Sequence, residues 1–194
     1  GMDTIKVADG RFSYETTLGD EATFIIVFPN YSELPVFGKS GTTAEISGDA
    51  SHLKEVEIHG EKNNEDMTAF RLSVANMTPP QAKKAAEEYI SKNPKSIVSL
   101  YLIRKYLINT KEPDYEKAYT LTKAMVDADK NNARASMLLS QLKELRHVKK
   151  GGRLPSFSAT DIEGKAVSGA KLKGKLNVII SWAGWNYESV SIQR

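Results

Sequence analysis

The chain has 194 residues, 40% of them hydrophobic and 26% charged, with a formal net charge of +3 and no cysteine. That length suits one large domain or two small ones, and the composition is that of an ordinary soluble globular protein. A charge this small, without a long basic run, argues against nucleic acid, and the lack of thiols excludes structural disulfides, thiolate metal sites and thiol catalysis within this chain.

No apolar run approaches the ~20 residues that would span a bilayer. The N-terminus shows no basic stretch followed by an apolar one, so no export signal is read there. Gly1 before Met2 reads as a remnant of tag removal and is set aside.

Residues 3 to 60 read as β. Thr4–Val7 and Phe12–Tyr14 alternate apolar and polar around Asp9-Gly10, which predicts a hairpin because glycine takes the positive φ of a tight turn. Phe24 to Phe28 (FIIVF) is continuously apolar, which predicts a strand covered on both faces or at a sheet centre; Pro29-Asn30 breaks it. Leu34 to Phe37 predicts a short strand, placed at an edge because Pro35 offers no ladder donor. Thr42–Ser47 and Leu53–Ile58 complete the set, which suggests a small antiparallel sandwich or barrel.

At Asn63 the period changes from 2 to 3.6. Met67, Phe70 and Val74 share one helix face behind an acidic first turn. Thr78-Pro79 opens a second helix, with Thr as cap and Pro at the first helical position. Ser96 to Ile108 is apolar on most sides and is expected to be a buried helix. Glu112-Pro113-Asp114 and Asn131-Asn132 open two more. Lys149–Gly152 reads as a flexible basic linker. Beyond it Asp161–Gly164 is a turn, and Leu176 to Ala183 (LNVIISWA) predicts a buried strand.

Few residues point to chemistry. His52, His59 and His147 do not pair at metal-ligand spacing, so they read as surface or turn histidines and no metal is expected. Glu61, Glu65 and Asp66 near His59 are explained as a charged helix opening. Ser158, Ser181 and Ser191 lack a nucleophile-elbow context, and Gly151-Gly152 is not a phosphate cradle, so no cofactor is expected. Trp182 and Trp185 read as core or half-buried frame rather than as a binding platform.

Two stretches carry a family resemblance. Gly151-Gly152-Arg153-Leu154-Pro155-Ser156-Phe157-Ser158-Ala159-Thr160-Asp161-Ile162-Glu163-Gly164-Lys165, then Leu172–Lys175 and the frame Trp182-Ala183-Gly184-Trp185, resemble the start of peroxiredoxin-related, thioredoxin-like thiol-disulfide interchange proteins. Upstream, Asp3–Val7, Asp9–Tyr14, Leu34–Phe37, Ile46–Ala50 and Asn93–Leu102 resemble the β-domain of unknown function, and the helical connector, that precede such redox domains in exported bacterial lipoproteins. The resemblance implies a β-domain over 1–62 lacking its first strands, a helical segment over 63–148, a linker over 149–153 and a truncated thioredoxin-like segment over 154–194. The expected fold class is therefore α+β. The implied location is the periplasmic side of the envelope, lipid-anchored in the full-length form.

The resemblance also shows what is missing. Asn186 and Ser189 stand where the family has its two cysteines, so disulfide exchange has no thiolate to start it. No residue is assigned a catalytic role. The pair could form a pseudo-redox site that binds a thiol protein; the plainer reading is decay of an unused motif. The expected function is thus a non-enzymatic envelope protein with a binding or accessory role; the alternative is a fragment of an oxidoreductase whose catalytic part lies outside this chain. An uncovered strand at Leu176–Ala183 would either pack on the apolar face of 96–108 or pair with a second chain. A homodimer through this strand is the expected partnership, beside an envelope protein partner.

Overall fold

The computed structural model describes residues 2–49, 51–149, 151–152, 156–172, 174–180, 183, 185 and 189. The fold is α+β, with strands first and helices after them. The chain forms two compact units, Gly1–Arg146 and His147–Arg194.

In the first unit the Asp9-Gly10 turn forms. Both residues have positive φ (50° and 71°), and Ala8 and Arg11 exchange two backbone hydrogen bonds of 2.9 Å. These are the angles of a type I′ turn, which matches the twist of the flanking strands. The arms do not pair further: residues 2–7 and 12–17 are exposed and outside any strand.

Strands β1 (Ala22–Val27) and β2 (Glu33–Gly38) pair antiparallel, with Ile25 opposite Pro35. The connection turns at Tyr31 (φ 61°), and the Phe28 N–H donates to the Ser32 carbonyl at 3.0 Å. β1 corrects the expectation of a strand at a sheet centre. It has one neighbour, and Thr23, Ile25 and Val27 are exposed while Phe24 and Ile26 are half-buried. A continuous apolar run does not reveal how many neighbours a strand has.

β3 (Glu45–Ser47) and β4 (Glu57–His59) form a second antiparallel pair. Leu53–Glu55, expected within a strand, is a 3₁₀ turn. Leu34 and Val36 of β2 join Val56 and Ile58 in a small apolar cluster. Among the described residues the strands form three two-stranded sheets, and no barrel closes.

Five helices follow among the described residues. α1 (Lys62–Val74) is capped by Glu61, whose carboxylate accepts the Asn63 N–H at 2.8 Å. α2 (Pro79–Lys92) begins at Thr78, whose N–H donates to the Gln81 side chain at 2.9 Å. α3 (Ile97–Ile103) is capped by Ser96. It does not continue as a plain α-helix to Ile108. Arg104–Ile108 is a π-helical turn, closed by the Asn109 N–H on the Arg104 carbonyl at 2.7 Å. α4 (Tyr115–Ala128) and α5 (Ala133–Leu145) are capped by Asp114 and Asn132. The outer helices each bury one stripe, such as Ala82, Ala86 and Ile90 on α2 or Ala135, Leu138 and Leu142 on α5, whereas α3 is buried on nearly every side. The main core collects these stripes around α3 and receives Phe37 from β2. Each large apolar side chain buried there contributes about 1.5–3 kcal/mol.

In the second unit β5 (Ser158–Thr160) and β6 (Ala166–Ser168) form a hairpin around Asp161–Gly164. The Asp161 carboxylate accepts the N–H groups of Glu163 and Lys165 at 2.9 and 2.8 Å, and Gly164 takes φ 80°. The strand expected from Leu176 does not form over Leu176–Ile180, and its side chains are exposed. A strand needs a ladder partner, and among the described residues none lies beside this run. Ser181 and Trp182, the next residues of the expected strand, lie outside the described residues.

Candidate functional site

Those residues singled out from sequence that are described do not assemble into one site. Asn186, Trp182, Ser181 and Ser191 lie outside the described residues, and Ser189 is half-buried. Trp185, expected as core or frame, is 89% exposed. The described elements of its unit are two three-residue strands and a short 3₁₀ turn, too little apolar surface to bury an indole. His59 Nε2 lies 3.0 Å from a Glu57 carboxylate oxygen, and His52 Nδ1 lies 2.9 Å from Ser51 Oγ. His147 and Ser158 are exposed. Glu61 caps α1 and Asp66 pairs with Lys62 at 2.6 Å, so these acids serve the helix opening. Among the described residues no group of His, Asp or Glu side chains is arranged to hold a metal ion.

What the structure builds instead is a helix that handles strand edges. Asn64 and Thr68 lie one turn apart on α1 and share a face. The buried Asn64 amide accepts the Phe37 N–H at 2.7 Å and donates to the Phe37 carbonyl at 2.8 Å. Thr68 Oγ1 accepts the Ile58 N–H at 3.2 Å and donates to the Ile58 carbonyl at 3.5 Å. One turn further, Arg71 donates to the Val56 carbonyl. Asn64 and Thr68 thus fill the bonds that a neighbouring strand would make, and Arg71 satisfies the carbonyl just before β4. The sequence-level signal was the run Asn64, Thr68 and Arg71, polar residues four and then three apart on a helix otherwise read for its apolar face.

The π turn gathers a second group. It carries Tyr106 to the same side as Tyr101, and the Lys105 ammonium lies 5.7 and 5.9 Å from the two ring centres. Burial pushes the Tyr101 hydroxyl up to about 12 and the Lys105 ammonium down. Phe37 meets Tyr101 edge-on at 6.2 Å, and Phe70 meets Tyr106 at 6.0 Å. The cluster ties β2, α1 and the π turn together.

The remaining edge belongs to β1. The Phe28–Ser32 bond sets the phase of the β1–β2 ladder, so even-numbered residues of β1 bond to β2. The N–H and C=O groups of Thr23, Ile25 and Val27 therefore point away from β2, and no backbone hydrogen bond reaches them among the described residues. The opposite edge, on β2, is blocked at two of its three outward residues. Pro35 has no donor to leave unpaired there, and Asn64 takes Phe37. Two open hollows lie elsewhere on the surface, about 320 Å³ beside Gly19–Glu21 and Lys39, and about 240 Å³ beside Ile58, Thr68 and Leu72. No helix among the described residues is long and apolar enough to cross a membrane.

No curated protein and no solved structure matches the chain. Residues 1–67, which hold the N-terminal turn, both sheets of the first unit and the opening of α1, are similar to a family described as a domain of unknown function, DUF4369.

Proposed function

We propose that the chain is a non-enzymatic binding protein of the cell envelope, an accessory relative of thiol-disulfide interchange proteins. The observation that carries a binding role is the open edge of β1, six residues without a charge, with Ile25 and Val27 exposed beside unpaired backbone groups. The redox kinship rests on the Gly151–Lys165 stretch and the Trp-Ala-Gly-Trp frame. The absence of any cysteine supports a role without thiol chemistry. The periplasmic location and the lipid anchor follow from the same kinship. Fractionation of the native source tests them, and recovery with cytoplasmic markers would overturn them. The exposed Leu176–Ile180 run is a candidate contact with a second chain or an envelope partner.

The deciding experiment is insulin reduction by dithiothreitol with and without the protein. The expected rate equals the protein-free control, and a clear acceleration would overturn the reading. Asn186→Cys with Ser189→Cys is expected to form a dithiol and to stay near the control rate.

A further inference from the structure

We propose that β1 pairs antiparallel with β1 of a second copy of this chain, across a two-fold axis at Ile25. Two two-stranded sheets then become one sheet of four. This goes beyond a general binding role and uses a surface apart from the C-terminal run.

Three observations select a second copy as the occupant. The first is register. Thr23, Ile25 and Val27 are the residues whose backbone groups face outward. Only a ladder centred on Ile25 sets Thr23 opposite Val27 of the other copy and Ile25 opposite its own twin, so every outward residue meets an outward residue. Each such pair exchanges two N–H to C=O bonds. The cross-strand neighbours are β-branched on the exposed face and Phe24 with Ile26 on the other, pairs that favour antiparallel strands.

The second is charge. Ala22–Val27 carries none. In this register the preceding acids Asp20 and Glu21 face Asn30 and Pro29 of the other copy, so no acid opposes an acid. The third is closure. The far edge of the four-stranded sheet would be β2 on both sides, where Pro35 offers no donor and Asn64 already holds Phe37, which leaves only Glu33 open, too little for a further ladder. Association through β1 therefore stops at two copies and does not run on into a fibre.

The test measures the mass of the full chain by sedimentation equilibrium, for the wild type and for Ile25→Lys and Ile25→Glu. A wild-type dimer is expected. Each variant alone sets like charges face to face at the axis and should weaken the dimer at least ~10-fold. An equal mixture of the two variants should restore it, because lysine then faces glutamate. A wild-type monomer, variants that dimerise as tightly as wild type, or a mixture that stays monomeric would each overturn the proposal. Loss of the dimer in Ile179→Lys but not in Ile25→Lys would assign the contact to the C-terminal run and overturn it too. Should Ile25→Lys lower the melting temperature, Val27→Lys, at a site 56% exposed, takes its place with Thr23→Glu; each faces a neutral residue in its own dimer, so the mixture is expected to dimerise more tightly than either variant alone, and a mixture no tighter would overturn the proposal. Accelerated insulin reduction would sink the non-enzymatic reading and leave this result standing.

Discussion

Asn64 gives Phe37, with one amide, the two bonds that a strand would give, at a position with no exposure to solvent. Removing that amide strands a buried donor and a buried acceptor, each costing about 1–3 kcal/mol. Asn64→Ala is therefore expected to destabilise the fold by about 2–4 kcal/mol in urea melts. Asn64→Asp keeps the acceptor for the Phe37 N–H, loses the donor and buries a charge, so it should be no better than alanine. Thr68→Val preserves shape but not the hydroxyl and should cost about 1–2 kcal/mol, less than Asn64→Ala because its bonds are longer. Equal stability of Asn64→Ala and wild type would show that the contact does not hold the strand.

At the scale of elements, the helix caps carry a pH dependence. Burial pushes the Asp114 carboxyl up, but the Lys117 N–H at 3.0 Å and the Lys83 ammonium at 3.1 Å outweigh it, and the net value falls below 3.8. A carboxyl lowered in the folded state adds stability above its unfolded value and loses it as pH falls through the folded one. Stability should thus drop in acid below about pH 4 more steeply for wild type than for Asp114→Asn, which keeps the cap without titrating. Thermal melts between pH 2 and pH 6 check this; parallel curves would refute it. These caps were legible in the sequence, since Thr78-Pro79, Asp114 and Asn132 are local signals set by orphan N–H groups. The Asp9-Gly10 turn was legible for the same reason. The π turn was not. Its sequence, RKYLI, differs in no local preference from an α-helix, and only packing on α4 and the aromatic cluster selects the wider turn. The open edge of β1 was hidden too, because pairing is a property of two segments and FIIVF fits a sheet centre equally well.

For the whole molecule, the division into Gly1–Arg146 and His147–Arg194 predicts where a protease enters. Trypsin at low dose should cut first after the exposed Lys149, read by mass spectrometry; an early cut inside α2 to α5 would contradict the division. Within the first unit, the join between strands and helices has a consequence for how its sequence can change over time. Asn64, Thr68 and Arg71 all grip main chain, and main chain is the same whatever residue bears it. The strands are thus free to drift at their exposed side chains, such as Glu33, Glu45 and Glu57, while the three gripping positions on α1 are not. A library of all single substitutions, sorted for folding, should show tolerance at the exposed strand positions, beside intolerance at Asn64, Thr68 and Arg71 and at buried strand residues such as Phe37.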